Sequence, residues 1–158
     1  NGYNSALSRR CSGFDSPSDR HLIMNIVTLS LLILCYSLVL GIIFAQVLLT
    51  APVVFKVLDN QNASNFLRKI FPRYYLLLFL ITLIALLVSY LFFQQADVYF
   101  ALTAVCFSFL GYIIIPLTNA ARDRGWERIF KFFHNFSVFN TLIILVISIT
   151  QIVRVTYL

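Results

Sequence analysis

Charge is scarce in this chain. Asp, Glu, Lys and Arg together make up 11% of its residues, against roughly 25% in an average soluble domain. Acidic residues are the scarcest, six against twelve basic ones, and none stands deep in an apolar stretch. Ion-coupled pumps, proton relays and voltage sensors are built on such intramembrane charges, so their absence weighs against that group of functions. Cysteine is nearly absent too. Cys11, Cys35 and Cys106 form no CxxC and no paired spacing, which argues against a disulfide framework or a thiolate metal site. Cys35 and Cys106 fall in apolar runs and read as small packing residues. Only two histidines occur, His21 and His134.

What the chain has instead is apolar surface. Hydrophobic residues make up 60% of its 158 residues, and the mean hydropathy is +0.88. Too few polar groups remain to cover a core in water, so lipid is the natural solvent. The length suits one compact domain. The net charge of +6 suggests no nucleic-acid partner, because nothing resembles a reader of bases or strands. The basic residues gather between apolar runs, where they meet lipid headgroups and set orientation.

Residues 1–23 are polar and rich in Ser, Gly and Arg. They read either as an upstream extension ahead of Met24 or as a disordered tail, and show no signal-peptide cleavage pattern. The domain proper is expected over residues 24–158. Four apolar runs follow, at about 26–55, 74–93, 98–117 and 132–153. Each reaches the roughly 20 residues that a spanning helix needs. Backbone polar groups in lipid must pair internally, so the expected fold is all-α, an antiparallel bundle of four transmembrane helices.

The segments between runs alternate in charge. Lys56, Arg68, Lys69 and Arg73 lie between the first and second runs, and Arg122, Arg124, Arg128 and Lys131 between the third and fourth. Four spans put both segments on one side, which the positive-inside rule makes the cytoplasmic one. The QQAD stretch, residues 94–97, has room only for a tight turn. Asn62 or Ser64 is expected to cap a helix before the second span, with Pro72 kinking it. GWERIFKFFHNF reads as an amphipathic lead-in to the fourth span, with Trp126 at the interface. The sequons at Asn62 and Asn135 read as chance.

Polar residues inside the runs recur at a step of seven: Tyr75, Thr82 and Ser89, then His134, Thr141 and Ser148. Seven residues are close to two helical turns, so each set shares one face. The bland reading is helix packing, in which hydroxyls hydrogen-bond across helices for roughly 0.6 kcal/mol each. The sharper reading is a polar path or pocket along the bundle. His134 is either a structural interface residue, a metal or haem ligand, or a proton- or substrate-handling group. It is the sole metal candidate, and no cofactor is expected from the residues around it. Ser137 lies one turn from His134, but no carboxylate is placed to orient that histidine for hydrolysis.

Two longer patterns bear on identity. APVVFKVLDNQNASNFLRKIFPRYY carries Ala51, Pro52, Phe55, Phe71, Pro72, Tyr74 and Tyr75. A second runs Pro116, Asn119, Asp123, then Phe130, His134, Ser137 and Asn140. Together they resemble the two signatures of the transmembrane protein 205-like family, called domain of unknown function 4149 in bacteria. Asn135 departs from that pattern, which favours Gly there. The resemblance spans about residues 26–153. It implies a four-helix bundle in the bacterial inner membrane, without an established activity. More distantly, the architecture resembles copper-resistance D-type membrane proteins and haem-associated bundles, a likeness of fold alone.

The site expected from these readings is an interfacial polar cluster of Arg73, Tyr74, Tyr75, Asn119, His134, Ser137 and Asn140. Pro52, Phe55, Phe71, Pro72 and Pro116 shape its surroundings. The first functional expectation is a structural or accessory membrane component linked to metal or drug tolerance. The second is a permeation protein for small solutes or metals, assembled as a homo-oligomer because four helices enclose little space. The third is a haem- or copper-linked protein using His134. In every case the first partner is the lipid bilayer.

Overall fold

A computed structural model describes residues 17–157. Every element among them is helical: α1 (Pro17–Phe44), a wide π-helical segment (Ala45–Thr50), α2 (Ala51–Val57), α3 (Asn60–Phe92), α4 (Gln95–Asp123) and α5 (Glu127–Thr156). Four stretches are long and apolar enough to cross a bilayer, the first made of α1, the π segment and α2 in line. The fold is the expected four-helix transmembrane bundle. α1 begins at Pro17, within the polar stretch that reads as a tail. Proline suits a first helical turn because its missing N–H has no intrahelical partner there. Cys11 and the rest of that stretch before Pro17 lie outside the described residues.

The widened segment in the first span has a local cause. Pro52 has no N–H to give the carbonyl one turn back, and its ring crowds that carbonyl. The ladder re-spaces ahead of it. The Ala51 N–H donates to the Gln46 carbonyl, five residues away, and the Thr50 hydroxyl donates to the Ala45 carbonyl at 3.2 Å.

Three short connections join the spans. α2 ends at Leu58, and α3 starts directly after Asp59. The expected caps, Asn62 and Ser64, are both already inside α3. Asp59 stands at the N-cap instead, and its carboxylate accepts from the Asn62 amide at 2.6 Å. The second span therefore reaches back to Asn60, with Pro72 inside one continuous helix. Phe93 and Gln94, both extended, make the α3–α4 turn. This is tighter than the QQAD stretch implies, because Gln95, Ala96 and Asp97 already belong to α4. α4 ends at Gly125, whose φ of 68° is open to glycine at little cost. The Gly125 N–H returns to the Arg122 carbonyl and the Trp126 N–H to that of Ala121, the paired bonds of a Schellman cap. α5 then runs unbroken from Glu127, as the lead-in reading expects.

In cross-section the spans form a square. α4 packs on α3 and α5, and α1 closes the ring by packing on the same two helices. The core has two layers. One, toward the basic loops, gathers Val39, Ile43, Tyr74, Tyr75, Leu78, Ile115 and Ile144. The other, toward the α3–α4 turn, gathers Leu32, Cys35, Tyr36, Ala85, Val88 and Val155. The outer surface is also apolar, with Leu34, Leu38, Leu80, Leu87, Leu142 and Val146 exposed. Such a surface would be costly in water, at about 25 cal/mol per Å², and suits acyl chains.

Candidate functional site

The basic-loop end and the turn end of the bundle each carry a polar layer, and the two are built differently. At the basic end the central residue is Tyr75 on α3. Its hydroxyl crosses the diagonal of the square to α5. It lies 2.9 Å from Ser137 Oγ, 2.8 Å from Thr141 Oγ1 and 3.1 Å from the Ser137 carbonyl. A phenol both donates and accepts, so one buried hydroxyl is fully used here. The crossing is possible because α4 presents no side chain at that level. A Cβ on Gly111 would fall inside the Tyr75 ring. Tyr74 packs edge-on against Tyr75, ring centroids 5.0 Å apart, and Phe71 packs edge-on against Tyr74. Asn140 is fully buried and donates to the Phe107 carbonyl of α4 at 2.9 Å.

The expected cluster is therefore brought together only in part. Tyr74, Tyr75, Ser137 and Asn140 share the bundle interior, with Thr141 added. Arg73 is exposed, because two residues turn it roughly 200° round α3 from Tyr75. His134 is exposed as well. Helical side chains lean toward the helix N-terminus, and its ring stacks on Phe130 one turn back, 5.9 Å away and 13° from parallel. Asn119 is half-buried on α4 and makes no side-chain hydrogen bond among the described residues. Of the surrounding residues, Phe71 and Pro72 are half-buried, and Phe55 and Pro116 face outward. Pro52 opens α2.

Other buried hydroxyls mostly turn back on their own helices. Thr82 donates to the Leu78 carbonyl at 2.9 Å, Ser108 to Ala104 at 2.7 Å and Ser148 to Ile144 at 2.8 Å. Two open hollows lie on the outer surface. One is lined by Phe139, Leu142, Ile143, Val146 and Ile147, the other by Tyr90, Phe93, Gln95, Val98 and Tyr99.

Sequence reasoning misses two features. At the basic end, Arg68 of α3 forms a two-pronged pair with Asp123 of α4, one arm at 3.0 Å. Both groups stand outside the apolar runs at 74–93 and 98–117. The hydrogen bond from Arg68 holds the Asp123 carboxyl below its ordinary range. At the turn end, Asp97 is fully buried. Its Oδ1 accepts from the Gln151 amide of α5 at 2.7 Å, with the Arg154 guanidinium 3.5 Å away. An acidic residue beside a turn reads as solvated when only its own run is considered. Topology holds the missing signal: antiparallel spans place the start of the third run beside the end of the fourth, where Gln151 and Arg154 lie.

The haem or copper reading can be tested on donor chemistry. His134 has a phenylalanine ring for its neighbour, and among the described residues no three His, Cys, Asp or Glu side chains gather. That donor set does not fit a tetrahedral metal site or a haem pocket with a supported axial histidine.

Fold and site together define a polytopic membrane protein, a four-helix bundle whose interior polar groups join helix to helix. The chain belongs to the family described as domain of unknown function DUF4149, whose family model matches residues 34–127. That match runs from the middle of α1 through both tyrosines of FPRYY to the start of α5. No curated protein and no solved structure matches the chain.

Proposed function

We propose that the protein is an accessory component of a bacterial inner membrane, of the transmembrane protein 205-like kind. On this reading it contributes to metal or drug tolerance through association within the membrane, and no solute passes through its own bundle. The observation that carries the reading is the crossing of Tyr75 from α3 to Ser137 and Thr141 on α5. It occupies the axis along which a solute would pass. Thr82, Ser108 and Ser148 support the same view, because their hydroxyls are spent on backbone carbonyls. The eight basic residues of the two loops argue for a cytoplasmic basic end.

Proteoliposomes test the central claim. Passive flux of potassium and of a small neutral solute is expected to match that of protein-free vesicles. A leak that rises in Tyr75→Ala and is present in the wild type would instead support permeation. Cells lacking the protein are expected to lose metal or drug tolerance and to regain it with the wild-type chain. With Cys11, Cys35 and Cys106 replaced by Ser, impermeant maleimide should fail to label Arg124→Cys from outside intact cells; labelling there would reverse the orientation.

A further inference from the structure

The polar layer at the turn end has more hydrogen-bonding capacity than the protein uses. Asp97, Ser89 and Gln151 are fully buried and Tyr36 is 1% exposed. The Asp97 Oδ2, Ser89 Oγ, Gln151 Oε1 and Tyr36 hydroxyl oxygens all lack a partner. One comes from each of the four spanning helices. They share a level of the bundle: Tyr36 packs in one core layer with Val88 and Val155, the neighbours of Ser89 and Arg154, and Gln151 holds Asp97 directly. Native proteins leave few buried polar atoms unsatisfied, and each such atom calls for an occupant or a role. Toward the basic end the Tyr74 hydroxyl, Asn140 Oδ1 and Gln46 Nε2 are also unpaired, but there no carboxylate is among them, whereas here four free oxygens, one of them a carboxylate's, share one layer.

We propose that this layer is a binding site for a desolvated monovalent cation of sodium size, held by those four oxygens. Three features select that chemistry. The free groups are oxygens, two of them pure acceptors, which suits a hard cation. One carboxylate beside an arginine is too little negative charge for a divalent ion, which draws on several carboxylates or keeps its waters. The four groups are 1% exposed or less, inside the packed bundle, so the occupant is small. Arg154 completes the arrangement. Its guanidinium is loosely placed, 3.5 Å from Oδ1, with its side chain 35% exposed and lying over the Phe100 ring at 5.4 Å. An entering cation takes over the carboxylate while Arg154 moves out toward the headgroups, so the net buried charge stays near zero.

The test is thermal unfolding of the full chain in detergent, titrated with sodium chloride against choline chloride at constant ionic strength, alongside ²²Na⁺ binding. A saturable sodium-specific rise in melting temperature with bound ²²Na⁺ is expected. It should be lost in Asp97→Asn and unchanged in Asp123→Asn. Ser89→Ala, a milder change, is expected to weaken half-saturation about tenfold. Arg154→Gln is expected to tighten it, because the competing cation is gone. Identical melts in sodium and choline, with no ²²Na⁺ retained, would overturn the proposal and leave the layer to buried water. So would an Arg154→Gln variant that binds sodium no better than the wild type.

Discussion

The two ends of the bundle solve the same problem in opposite ways. At the basic end one tyrosine uses a gap left by Gly111 and spends its hydroxyl completely on α5. At the turn end a buried carboxylate, an amide and two hydroxyls are brought to one level and only partly paired. A satisfied network locks helices in place. A half-satisfied one is costly where the dielectric is low, and persists where something else meets the cost. The basic end also leaves the Tyr74 hydroxyl and the Asn140 Oδ1 without partners, so what sets the turn end apart is a buried carboxylate with three further unpaired oxygens at its level.

The largest expected effect falls on the packed layer. Gly111→Leu puts a branched side chain where the Tyr75 ring lies, and neither α3 nor α5 can withdraw without opening the square. Overpacking on this scale costs about 3 kcal/mol, so a large drop in melting temperature or loss of folded protein is expected. A variant that melts like the wild type would show that Tyr75 has another place to go. Next is Gln151→Leu, which removes the one good hydrogen bond to Asp97. Bonds to charged groups are worth about 1.5–3 kcal/mol, so a loss of about 2 kcal/mol by chemical denaturation is expected. A neutral result would mean that Arg154 alone suffices.

Tyr75→Phe keeps the ring and removes only the cross-bundle hydroxyl. Hydrogen bonds inside membranes average about 0.6 kcal/mol, so a loss near 1 kcal/mol is expected, with His134→Ala unchanged beside it. If His134→Ala proved the more destabilising, the cluster would have to be redrawn around the histidine. The smallest effect belongs to Arg68 and Asp123, both substantially exposed. Because the Asp123 carboxyl is depressed in the folded state, its stabilisation is present above the unfolded carboxylate pKa and fades as pH falls through the folded one. Asp123→Asn should therefore differ slightly from the wild type at neutral pH and converge with it in acid. A gap that widened in acid would contradict the pairing.

Much of this molecule can be read without coordinates. Four apolar runs of spanning length, separated in turn by a basic segment, the short QQAD link and a second basic segment, leave only a helical bundle in lipid. The short QQAD stretch makes the second and third spans neighbours, though the turn itself is narrower, at Phe93 and Gln94. The seven-residue stripe of Tyr75, Thr82 and Ser89 does lie on a buried face, at 1%, 0% and 0% exposure. Depth along the membrane is legible because hydropathy is a one-dimensional property of the chain.

Direction across the bundle is not. His134 stands one turn before Ser137, the partner of Tyr75, yet its ring stacks on its own helix while Tyr75 reaches the opposite one. Seen alone, Asp97 is a turn residue; folded, it is a fully buried partner of Gln151, 54 positions away. Gly111 looks like one more small residue until the Tyr75 ring is found in its place. The sequence by itself determined that this chain crosses a membrane four times, because burying unpaired backbone in lipid costs too much for any other arrangement. Which polar groups meet, and which are left wanting a partner, was decided only when four helices packed side by side. Hydrogen bonds depend on angles and tenths of an ångström, and those are properties of the packed square.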